Sequence, residues 1–258
     1  MKPAGGIGSE ALLDCIVIGA GPGGLQACIH LGRYNFRVML FHHPGGRTYH
    51  AKHIENYLGL RVVSGPNLLE TGLAQAENFG VAVEHAQVER VTVREGHFEV
   101  QAEGKTYRSR FVIAASGARE TLAPLKNLTR FFGISYFTCM ICNGYRATGR
   151  KLIVMDRTIN GVRLSIGTKQ LFTSDVTFLA HGFSLTSAYA TVLEDEGIGL
   201  VEGRPEELLG EKTLEGGCGY LTAASSPVRS SWGGEGSPLT MIFSRGFPWN
   251  ATPRASRS

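Results

Sequence analysis

A glycine-rich turn between two apolar segments restricts the fold of this chain more than any other feature. The apolar run Leu12–Ile18 predicts a short buried parallel strand, and residues 19–24 follow it with the spacing Gly-x-Gly-x-x-Gly. A helical stretch over residues 25–33 and a second apolar strand over residues 37–41 come next. This order of strand, glycine turn, helix and strand predicts a dinucleotide-binding βαβ unit, and with it an α/β fold.

Each residue of the turn has a separate role in such a unit. Gly19 permits the tight turn, Gly21 lets backbone N–H groups approach a pyrophosphate, and Gly24 allows the helix to pack close to the strand. Pro22 and Gly23 complete the loop at the helix N-terminus, which attracts negative charge. We interpret the turn as a cofactor site; the alternative is a glycine-rich turn that binds no ligand.

Histidines occupy the place where this fingerprint expects an acidic residue. A carboxylate roughly 20 residues beyond the turn ordinarily binds the ribose hydroxyls, but here His42 and His43 end the second strand. Recognition of ribose by a carboxylate is therefore not expected, and His42 is the candidate contact at this end. His50 and His53 are close in sequence, but no acid-plus-histidine motif fixes their geometry, so a polar loop is favoured over a metal site.

Two cysteines two residues apart form the second chemical motif. The spacing of Cys139 and Cys142 lets one turn close a small disulfide ring, and beside βαβ patterning it predicts a redox pair. One thiolate of such a pair attacks a partner disulfide, and the other resolves the mixed disulfide. The alternatives are half of a zinc site, although no second Cys-x-x-Cys completes four ligands, and two structural cysteines. Cys15 and Cys28 are predicted to be buried packing residues, and Cys218 a free surface thiol.

The remaining periodic segments predict two α/β units. In the first unit, a helix is predicted over residues 67–79, and strands over 81–83, 88–93, 97–102 and 106–113 form a small inserted antiparallel sheet. Residues 111–118 predict a buried strand that ends in small residues. In the second unit, after Pro124, strands are predicted over 151–155, 175–180 and 199–202, with helices over 160–170 and 187–196. Its first turn lacks a glycine trio, and Asp156 adds a charge that repels a pyrophosphate.

Composition and charge exclude several classes of function. The chain has 258 residues and a formal net charge of +4, most of which comes from arginines near its end, so no basic stripe indicates nucleic-acid binding. Five cysteines are too few and too scattered for the disulfide framework of a secreted protein. Neither a signal peptide nor a membrane span is visible, and a cytoplasmic protein is expected.

From about Gly217, Ser, Gly, Pro and Arg dominate without periodicity, which predicts a loosely held tail.

Taken together, the motifs resemble the thioredoxin reductase family of FAD-dependent disulfide oxidoreductases, which have two Rossmann-like domains. The resemblance rests on the FAD pyrophosphate loop at 19–24, a flavin-lining loop from 45 to 59, a small-residue segment at 114–118, the Cys-x-x-Cys segment at 139–144, and the layout of an NADPH domain over 151–202. The FAD contacts that it implies are Gly19, Gly21, Pro22, Gly23, Gly24, His42, Gly46, Arg47, Asn56, Ser116 and Gly117.

The resemblance also implies how the chain is divided. Residues 1–121 correspond to the N-terminal part of the FAD-binding domain, and residues 122–215 to a degenerate pyridine-nucleotide-type domain that carries the cysteine pair. Residues 216–258 form an atypical tail, expected to be disordered. Nothing after residue 216 resembles the segment with which the family completes its FAD domain, so that part is expected to be missing and flavin retention to be weak.

The family mechanism transfers to this chain by matching position. Reduced FAD passes two electrons to the Cys139–Cys142 disulfide, with Cys142 nearest the flavin and Cys139 as the thiolate that attacks a thioredoxin-like protein. Asn143 stands at the catalytic position where the family has an Asp proton donor, and an amide cannot donate and recover a proton in that way. The resemblance further implies a domain rotation and a homodimer.

Departures from the family predict that NADPH is not the electron donor. Residues 156–159 replace the glycine-rich NADPH loop, and Gly182, Phe183 and Ser187 stand where the family has arginines for the 2′-phosphate. Ferredoxin or another donor is expected instead. Two alternatives stay open for the function: a truncated, non-catalytic remnant of such a flavoprotein, and a flavoprotein that acts on small disulfides.

Overall fold

The computed structural model describes residues 11–117, 122–210, 219–223 and 241–245. The chain divides into two units, Met1–Arg119 and Glu120–Ser258. Ala118 of the small-residue segment and Cys218 lie outside the described residues.

The first unit begins with the predicted βαβ arrangement. Strand β1 (Leu12–Ile18) leads into helix α1 (Pro22–Arg33), strand β2 (Val38–Phe41), helix α2 (Gly65–Asn78) and strand β3 (Ala82–Glu84). The pairs β1–β2 and β2–β3 are both parallel, as crossover helices require. The predicted strand, glycine turn, helix and strand are therefore confirmed.

Helix α2 begins two residues before the predicted start because of its cap. The hydroxyl of Ser64 accepts a hydrogen bond from the backbone N–H of Asn67 at 3.3 Å, and Pro66 lies in the first turn, where its missing N–H costs nothing. Along this helix, Gly72 packs closely on Leu25 of α1: a Cβ on Gly72 would lie 2.8 Å from the Leu25 Cδ1 atom. Both cysteines of this unit lie in the core between the helices and the sheet, as predicted.

The predicted inserted sheet is instead continuous with the parallel strands. Strands β4 (Val88–Arg94), β5 (His97–Ala102) and β6 (Lys105–Ala114) extend one six-stranded sheet of order β3-β2-β1-β6-β5-β4. Strand β6 pairs antiparallel with β5 through its first half, and parallel with β1 from Arg108 onward. One ten-residue strand thus pairs with both β5 and β1. The sequence pattern predicted two overlapping strands, over residues 106–113 and 111–118, because a local pattern does not show that a single strand makes both pairings.

The second half of β6 is not buried, contrary to the sequence prediction. Phe111 is 67% exposed and Ile113 is 36% exposed, and the strand ends at Ala114. Alternate residues of a strand face opposite sides of its sheet, so an apolar run fixes the strand but not whether each side is covered. Phe111 and Ile113 share the side that the described residues leave exposed.

The second unit is built on a parallel sheet with crossover helices. Its elements are α3 (Leu128–Phe131), β7 (Tyr136–Phe137), α4 (Met140–Asn143), β8 (Leu152–Asp156), α5 (Asn160–Leu171), β9 (Val176–His181), α6 (Ser187–Asp195), β10 (Gly199–Gly203), β11 (Pro205–Gly210), β12 (Gly219–Ala223) and β13 (Met241–Arg245). The sheet order is β10-β9-β8-β13-β7, and all four pairs in it are parallel. The fold class predicted from the sequence, two α/β units with the cysteine pair in the second, is confirmed.

Two strands in the predicted tail correct the expectation that it lacks regular structure. Strand β12 pairs antiparallel with β11, and β13 lies between β8 and β7 in the parallel sheet. The strand-forming run in β13 is only Met241-Ile242-Phe243, which is too short to show a period of two. Its pairing with Leu152–Asp156 is a tertiary effect that local sequence does not carry. The rest of the tail lies outside the described residues.

The core of the second unit lies against both faces of this sheet. Phe178 and Val154 are fully buried on one side, and Tyr136 and Ile153 are buried with a separate cluster around α3.

Within the described part of the chain, none of the helices has both the length and the apolar character needed to cross a membrane.

Candidate functional site

The glycine loop after β1 is tightly folded against the end of β6. Gly19 has a φ of +107°, and a Cβ on it would lie 2.4 Å from the carbonyl oxygen of Ala115. A Cβ on Gly24 would lie 1.9 Å from the carbonyl oxygen of Gly19. Neither position can accept a side chain without backbone movement, so both glycines are needed for the fold of the loop.

The other glycines of the loop face open space instead. A Cβ on Gly21 or Gly23 would meet none of the described atoms within 4 Å. Gly21 caps α1 without a side-chain hydrogen bond, Pro22 lies in the first turn, and that turn contains no acidic residue. The first N–H groups of a helix have no acceptor within it, and they favour an anion. This cradle fits the pyrophosphate of a dinucleotide such as FAD.

Two more predicted contacts lie beside this loop. The backbone N–H of Ala115 donates to the carbonyl oxygen of Ile18 at 2.8 Å, which holds the loop after β6 next to the loop after β1. Ser116 follows, with its Cα 3.0 Å from the Cβ position of Gly19, and Gly117 has a φ of +70°. Both are exposed, so the structure brings Gly19, Ser116 and Gly117 together at one open edge of the sheet.

His42 directly follows β2, at the position where the dinucleotide-binding fingerprint ordinarily has an acidic residue. Its backbone N–H donates to the carbonyl oxygen of Glu84 at 2.9 Å, and its half-buried ring lies 5.3 Å from that of His85, between centroids. Burial lowers the pKa of His42, and the neighbouring His85 and His43 lower it further. His85 is a neighbour that sequence spacing did not indicate. In the described ranges, no three metal-ligating side chains form a cluster.

The predicted flavin-lining residues lie in the segment between β2 and α2. Gly46 has a φ of +87°, and both Arg47 and Asn56 are exposed. An isolated antiparallel bridge joins Ile54 and Val63, with N–O distances of 2.9 and 3.1 Å, and closes a loop that contains Asn56. The structure therefore places these residues in one segment.

The cysteine pair closes a disulfide directly after strand β7. Cys139 and Cys142 are bonded, with their Cα atoms 5.3 Å apart. Cys139 is half-buried and Cys142 is exposed. The backbone N–H of Cys142 donates to the Sγ atom of Cys139 at 3.2 Å. A hydrogen bond to sulfur stabilises a thiolate there once the disulfide is reduced, so the arrangement favours Cys139 as the nucleophile.

Thr168 of α5 and Phe172 at the C-terminus of that helix support the cysteine segment, and no pattern in the sequence indicated either. Gly144 is buried against Phe172: a Cβ on Gly144 would lie 2.4 Å from the Cε2 atom of that ring. The hydroxyl of Thr168 lies 2.7 Å from the Sδ atom of Met140, the residue after Cys139. Asn143 donates its backbone N–H to the carbonyl oxygen of Cys139 at 3.1 Å, within the same short turn.

The sequence profile of the family described as pyridine nucleotide-disulphide oxidoreductase matches residues 13–201 of this chain. The chain belongs to that family. The matched range contains both the glycine loop and the disulfide.

Two thioredoxin reductases are similar to more than half of this chain. Thioredoxin reductase of Helicobacter pylori is 32% identical over 149 residues, 56% of this chain and 48% of that protein. Thioredoxin reductase of Bacillus subtilis is 31% identical over 150 residues, 57% of this chain and 47% of that protein. The chain thus spans about half the length of these relatives.

Solved structures show the same fold. The crystal structure of HlmI has a TM-score of 0.74 and 24% identity, covering 93% of this chain and 74% of that one. The crystal structure of thioredoxin reductase from Streptococcus pyogenes has a TM-score of 0.74 and 22% identity, covering 91% of this chain and 77% of that one.

The turn after β8 is filled by its own side chains. Asp156 is 2% exposed, and its Oδ1 atom accepts hydrogen bonds from the backbone N–H and the hydroxyl of Thr158 at 2.8 and 2.9 Å. A Cβ on Gly161 would lie 2.6 Å from the Asp156 Cβ atom and 2.2 Å from the Phe178 ring. The carboxylate that was expected to repel a pyrophosphate is thus also a structural part of the turn.

Proposed function

We propose that this chain is an FAD-dependent disulfide oxidoreductase that passes electrons through Cys139 and Cys142 to the disulfide of a thioredoxin-like protein. The observation that carries the proposal is the Cys139–Cys142 disulfide, with a backbone N–H directed at the Cys139 sulfur. The open glycine loop in the same chain supports it, as do the names of the thioredoxin reductases to which the chain is similar.

The first unit would hold FAD at the edge where the loops after β1 and β6 meet. The N–H groups at the start of α1 would bind the pyrophosphate, with Gly21 leaving room for it. Ser116 and Gly117 line the same edge. We assign the flavin-ring contacts to Gly46, Arg47 and Asn56 and the ribose end to His42 on the resemblance alone. When bound, FAD supplies the two electrons that reduce the Cys139–Cys142 disulfide.

The chain's own residues carry out the thiol steps. After the disulfide accepts two electrons, the Cys139 thiolate attacks one sulfur of the partner disulfide, forming a mixed disulfide and releasing the first partner thiolate. Cys142 then attacks the Cys139 Sγ atom, which restores the internal disulfide and releases the second partner thiolate. The N–H of Cys142 favours the charge on Cys139 before the first attack.

Proton transfer in this scheme comes from solvent rather than from the residue after the pair. The Asn143 amide cannot take up and return a proton at neutral pH. Cys142 is exposed, so water reaches the pair in the second unit. A slower turnover than that of a carboxylate-assisted enzyme is the expected consequence.

We propose that the electron donor is not NADPH but ferredoxin or another reductant. The buried Asp156 carboxylate, bonded to Thr158, takes the place of an open glycine cradle at the start of α5. A dinucleotide would bring its pyrophosphate to this negative charge. Rapid flavin bleaching by micromolar NADPH would count against this part of the proposal. The homodimer and the cytoplasmic location implied by the resemblance belong to the same proposal.

The test of the function is disulfide reduction with the native pair and with each cysteine removed. The FAD-loaded protein is photoreduced and mixed with oxidised thioredoxin, and free thiols are counted. Cys139→Ser should abolish thiol formation, while Cys142→Ser should accumulate a mixed disulfide with the partner. Cys28→Ala, which alters a buried thiol of the first unit, serves as the control and should keep the activity.

Two observations support the alternative that this chain is a non-catalytic remnant of such a flavoprotein. Asn143 offers no proton-donating acid, and Asp156 fills the turn after β8. If the native protein binds thioredoxin but forms no thiols under these conditions, the remnant is the better description. Reduction of small aromatic disulfides without reduction of thioredoxin would instead indicate a flavoprotein acting on small disulfides.

A further inference from the structure

The second half of strand β6 leaves one edge of the six-stranded sheet open. Strand β5 pairs with β6 only as far as Ser109, whereas β1 pairs with β6 as far as Ala114. Among the described residues, segment 110–114 therefore has a neighbouring strand on one side only. The backbone groups on its other side have no ladder partner, and such an edge can pair with a further strand.

One hydrogen bond shows which backbone groups point to the open side. The N–H of Ala115 donates to the carbonyl oxygen of Ile18, the last residue of β1, at 2.8 Å. In a parallel pair, alternate residues direct their N–H and C=O groups to the same neighbour. Val112 and Ala114 therefore direct theirs away from β1, to the side on which a further strand would lie.

The side chains on this part of β6 are apolar and exposed. Phe111 and Ile113 pair in register with Cys15 and Val17 of β1, which are buried in the core beneath helices α1 and α2. The cover that buries the two β1 residues does not extend to their β6 partners, which stay exposed. An added strand would bury this apolar surface, which is a favourable change.

An open cavity adjoins the same edge. Its volume is about 500 Å³, and it lies between the turn that joins β4 to β5 and the second half of β6. Its apolar lining is Val93, Phe98 and Phe111, and its basic lining is Arg94, His97 and Arg110. A chain that paired with β6 would thus find space for its side chains.

The two outer edges of the sheet are protected against pairing, unlike this one. Strand β3 has only three residues. Strand β4 has a register shift between Val88 and Arg90, and it carries the charged residues Glu89, Arg90 and Arg94. Short strands, irregular pairing and charges are the usual means of preventing unwanted strand addition. Segment 110–114 pairs regularly with β1 and is charged only at Arg110.

The charge at the open edge indicates what can occupy it. Arg110 is exposed and forms no ion pair within the described part of the chain, whereas Arg94 and Arg108 both lie beside Glu99, at 2.9 and 3.8 Å. A second copy, related by two-fold symmetry, would bring its own Arg110 to the same edge. The C-terminal residues of the chain also carry mainly positive charge, with four arginines and a single glutamate from residue 217 onward.

We propose that the open edge of β6 binds an extended, acidic segment of a partner polypeptide, which is added to the sheet as a further strand. Backbone hydrogen bonds to Val112 and Ala114 hold the segment. Alternate apolar side chains of the segment pack on Phe111 and Ile113, and a carboxylate lies beside Arg110. Segment 110–114 lies outside the cysteine segment, so its occupancy does not depend on the proposed disulfide chemistry.

The test is fluorescence anisotropy of a labelled peptide titrated with the full chain. The probe is a fluorescein-labelled peptide of about nine residues, the length of an ordinary strand with its ends, in which valine alternates with threonine and glutamate. Saturable binding of one peptide per chain is expected. A peptide with lysine in place of glutamate should bind at least about fivefold more weakly, because it meets Arg110 with a like charge.

Two methylated versions of the probe test the backbone pairing directly. One carries N-methyl groups on the valines, and the other carries them on the intervening residues. Since alternate residues of an added strand face β6, methylation should abolish binding in one version and spare it in the other. Equal behaviour of the two versions would overturn strand addition.

Two substitutions test the side-chain contacts. Phe111→Asp should weaken binding of the acidic probe at least about tenfold, because it removes an apolar contact and adds a like charge. Arg110→Glu should reverse the preference, so that the lysine peptide binds more tightly than the glutamate peptide. Arg90→Glu makes the same change of charge on β4, outside the cavity, and should keep the native preference. Urea unfolding of each variant separates a lost site from a lost fold.

Three results would overturn the proposal. The first is an absence of saturable binding up to about 200 μM chain, since a specific strand site should be filled at that concentration. The second is a reversed preference in Arg90→Glu as well as in Arg110→Glu, because binding would then follow net charge alone. The third is a dimer of the native chain in sedimentation that Phe111→Asp dissociates, which would assign the edge to a second copy.

Discussion

Cys142 donates its backbone N–H to the Sγ atom of Cys139, with 3.2 Å between nitrogen and sulfur. Cys142 is nonetheless the more exposed of the two residues. Exposure therefore favours Cys142 as the more reactive residue, whereas stabilisation of the thiolate favours Cys139. The reactivity of the reduced pair shows which of the two effects is larger.

In the reduced protein, Cys139 should react first with iodoacetamide at neutral pH. The N–H of Cys142 lowers the free energy of the Cys139 thiolate, and the thiolate is the nucleophile. Mass spectrometry of peptides after brief alkylation gives the ratio of the two modified residues. A ratio in favour of Cys142 would show that exposure outweighs the hydrogen bond and would exchange the proposed roles.

Cys15 and Cys28 should resist the same reagent in the folded protein. Burial raises the pKa of Cys28 to about 12 and also raises the pKa of Cys15. At neutral pH neither thiol ionises appreciably, and both lie in the core. Both should become reactive in urea. Modification of Cys28 under native conditions at a rate close to that of Cys139 would contradict this assignment.

Gly144→Ala should destabilise the second unit by about 1–3 kcal/mol, because the added Cβ would overlap the Phe172 ring. Gly167→Ala is the matched control: a Cβ there meets none of the described atoms within 4 Å. It lies in helix α5, so alanine should raise stability by about 0.5–1 kcal/mol. Urea unfolding measures both. If the two substitutions had equal effects, the contact with Phe172 would not be a constraint.

Two glycines of the first loop should respond differently to alanine. Gly24→Ala forces a Cβ against the Gly19 carbonyl and should lower both stability and flavin affinity. Gly21 has a φ of −71° and open space beside it, so Gly21→Ala should change stability by less than about 1 kcal/mol.

Flavin affinity then separates the site from the fold. If a pyrophosphate occupies the space beside Gly21, Gly21→Ala should weaken FAD binding at least about tenfold while the unfolding curve stays in place. Quenching of FAD fluorescence on titration with protein measures this affinity. Unchanged FAD affinity in Gly21→Ala would mean that the cofactor does not use this loop.

Acidification should destabilise the fold through two histidines. Burial is the main cause of the lowered pKa at both His42 and His181, with His85 and His43 adding to it at the first, and Arg157 and Arg204 at the second. The unfolded chain therefore binds protons more readily below about pH 6.5, so stability is fully present above that pH and falls as the pH drops toward the folded pKa values.

Urea unfolding at a series of pH values tests this effect. Replacing His42 and His181 by Asn should flatten the loss of stability between about pH 6.5 and 5. His30→Asn, at an exposed position on α1, is the control and should leave the slope unchanged. A slope that is the same in all three proteins would show that other groups govern the acid response.

The first unit was predictable because its local signals agree with its tertiary structure. A buried apolar strand, glycines at fixed spacing and a helix of ordinary length each indicate the same βαβ unit, and β1, α1 and β2 lie where the pattern puts them. The sequence also indicated correctly that Cys15 and Cys28 are packing residues, because apolar neighbours surround both.

The features that the sequence did not indicate depend on distant contacts. Gly144 is constrained by Phe172, 28 residues later, and no local pattern links them. Strand β13 takes its place in the sheet by pairing with β8, across almost 90 residues. The exposure of Phe111 depends on what covers one face of β6, and an apolar run carries no information on that point.

The central claim is that bound flavin and the Cys139–Cys142 disulfide exchange electrons within this chain, and an anaerobic reductive titration tests it most directly. The purified protein is mixed with one equivalent of FAD and titrated with dithionite while the flavin spectrum is followed. The native chain should take up two more electrons per flavin than Cys139→Ser, because its disulfide is reduced together with the flavin and the variant has no disulfide at this place. Equal electron uptake in the two proteins, or a chain that stays colourless with added FAD, would contradict the account.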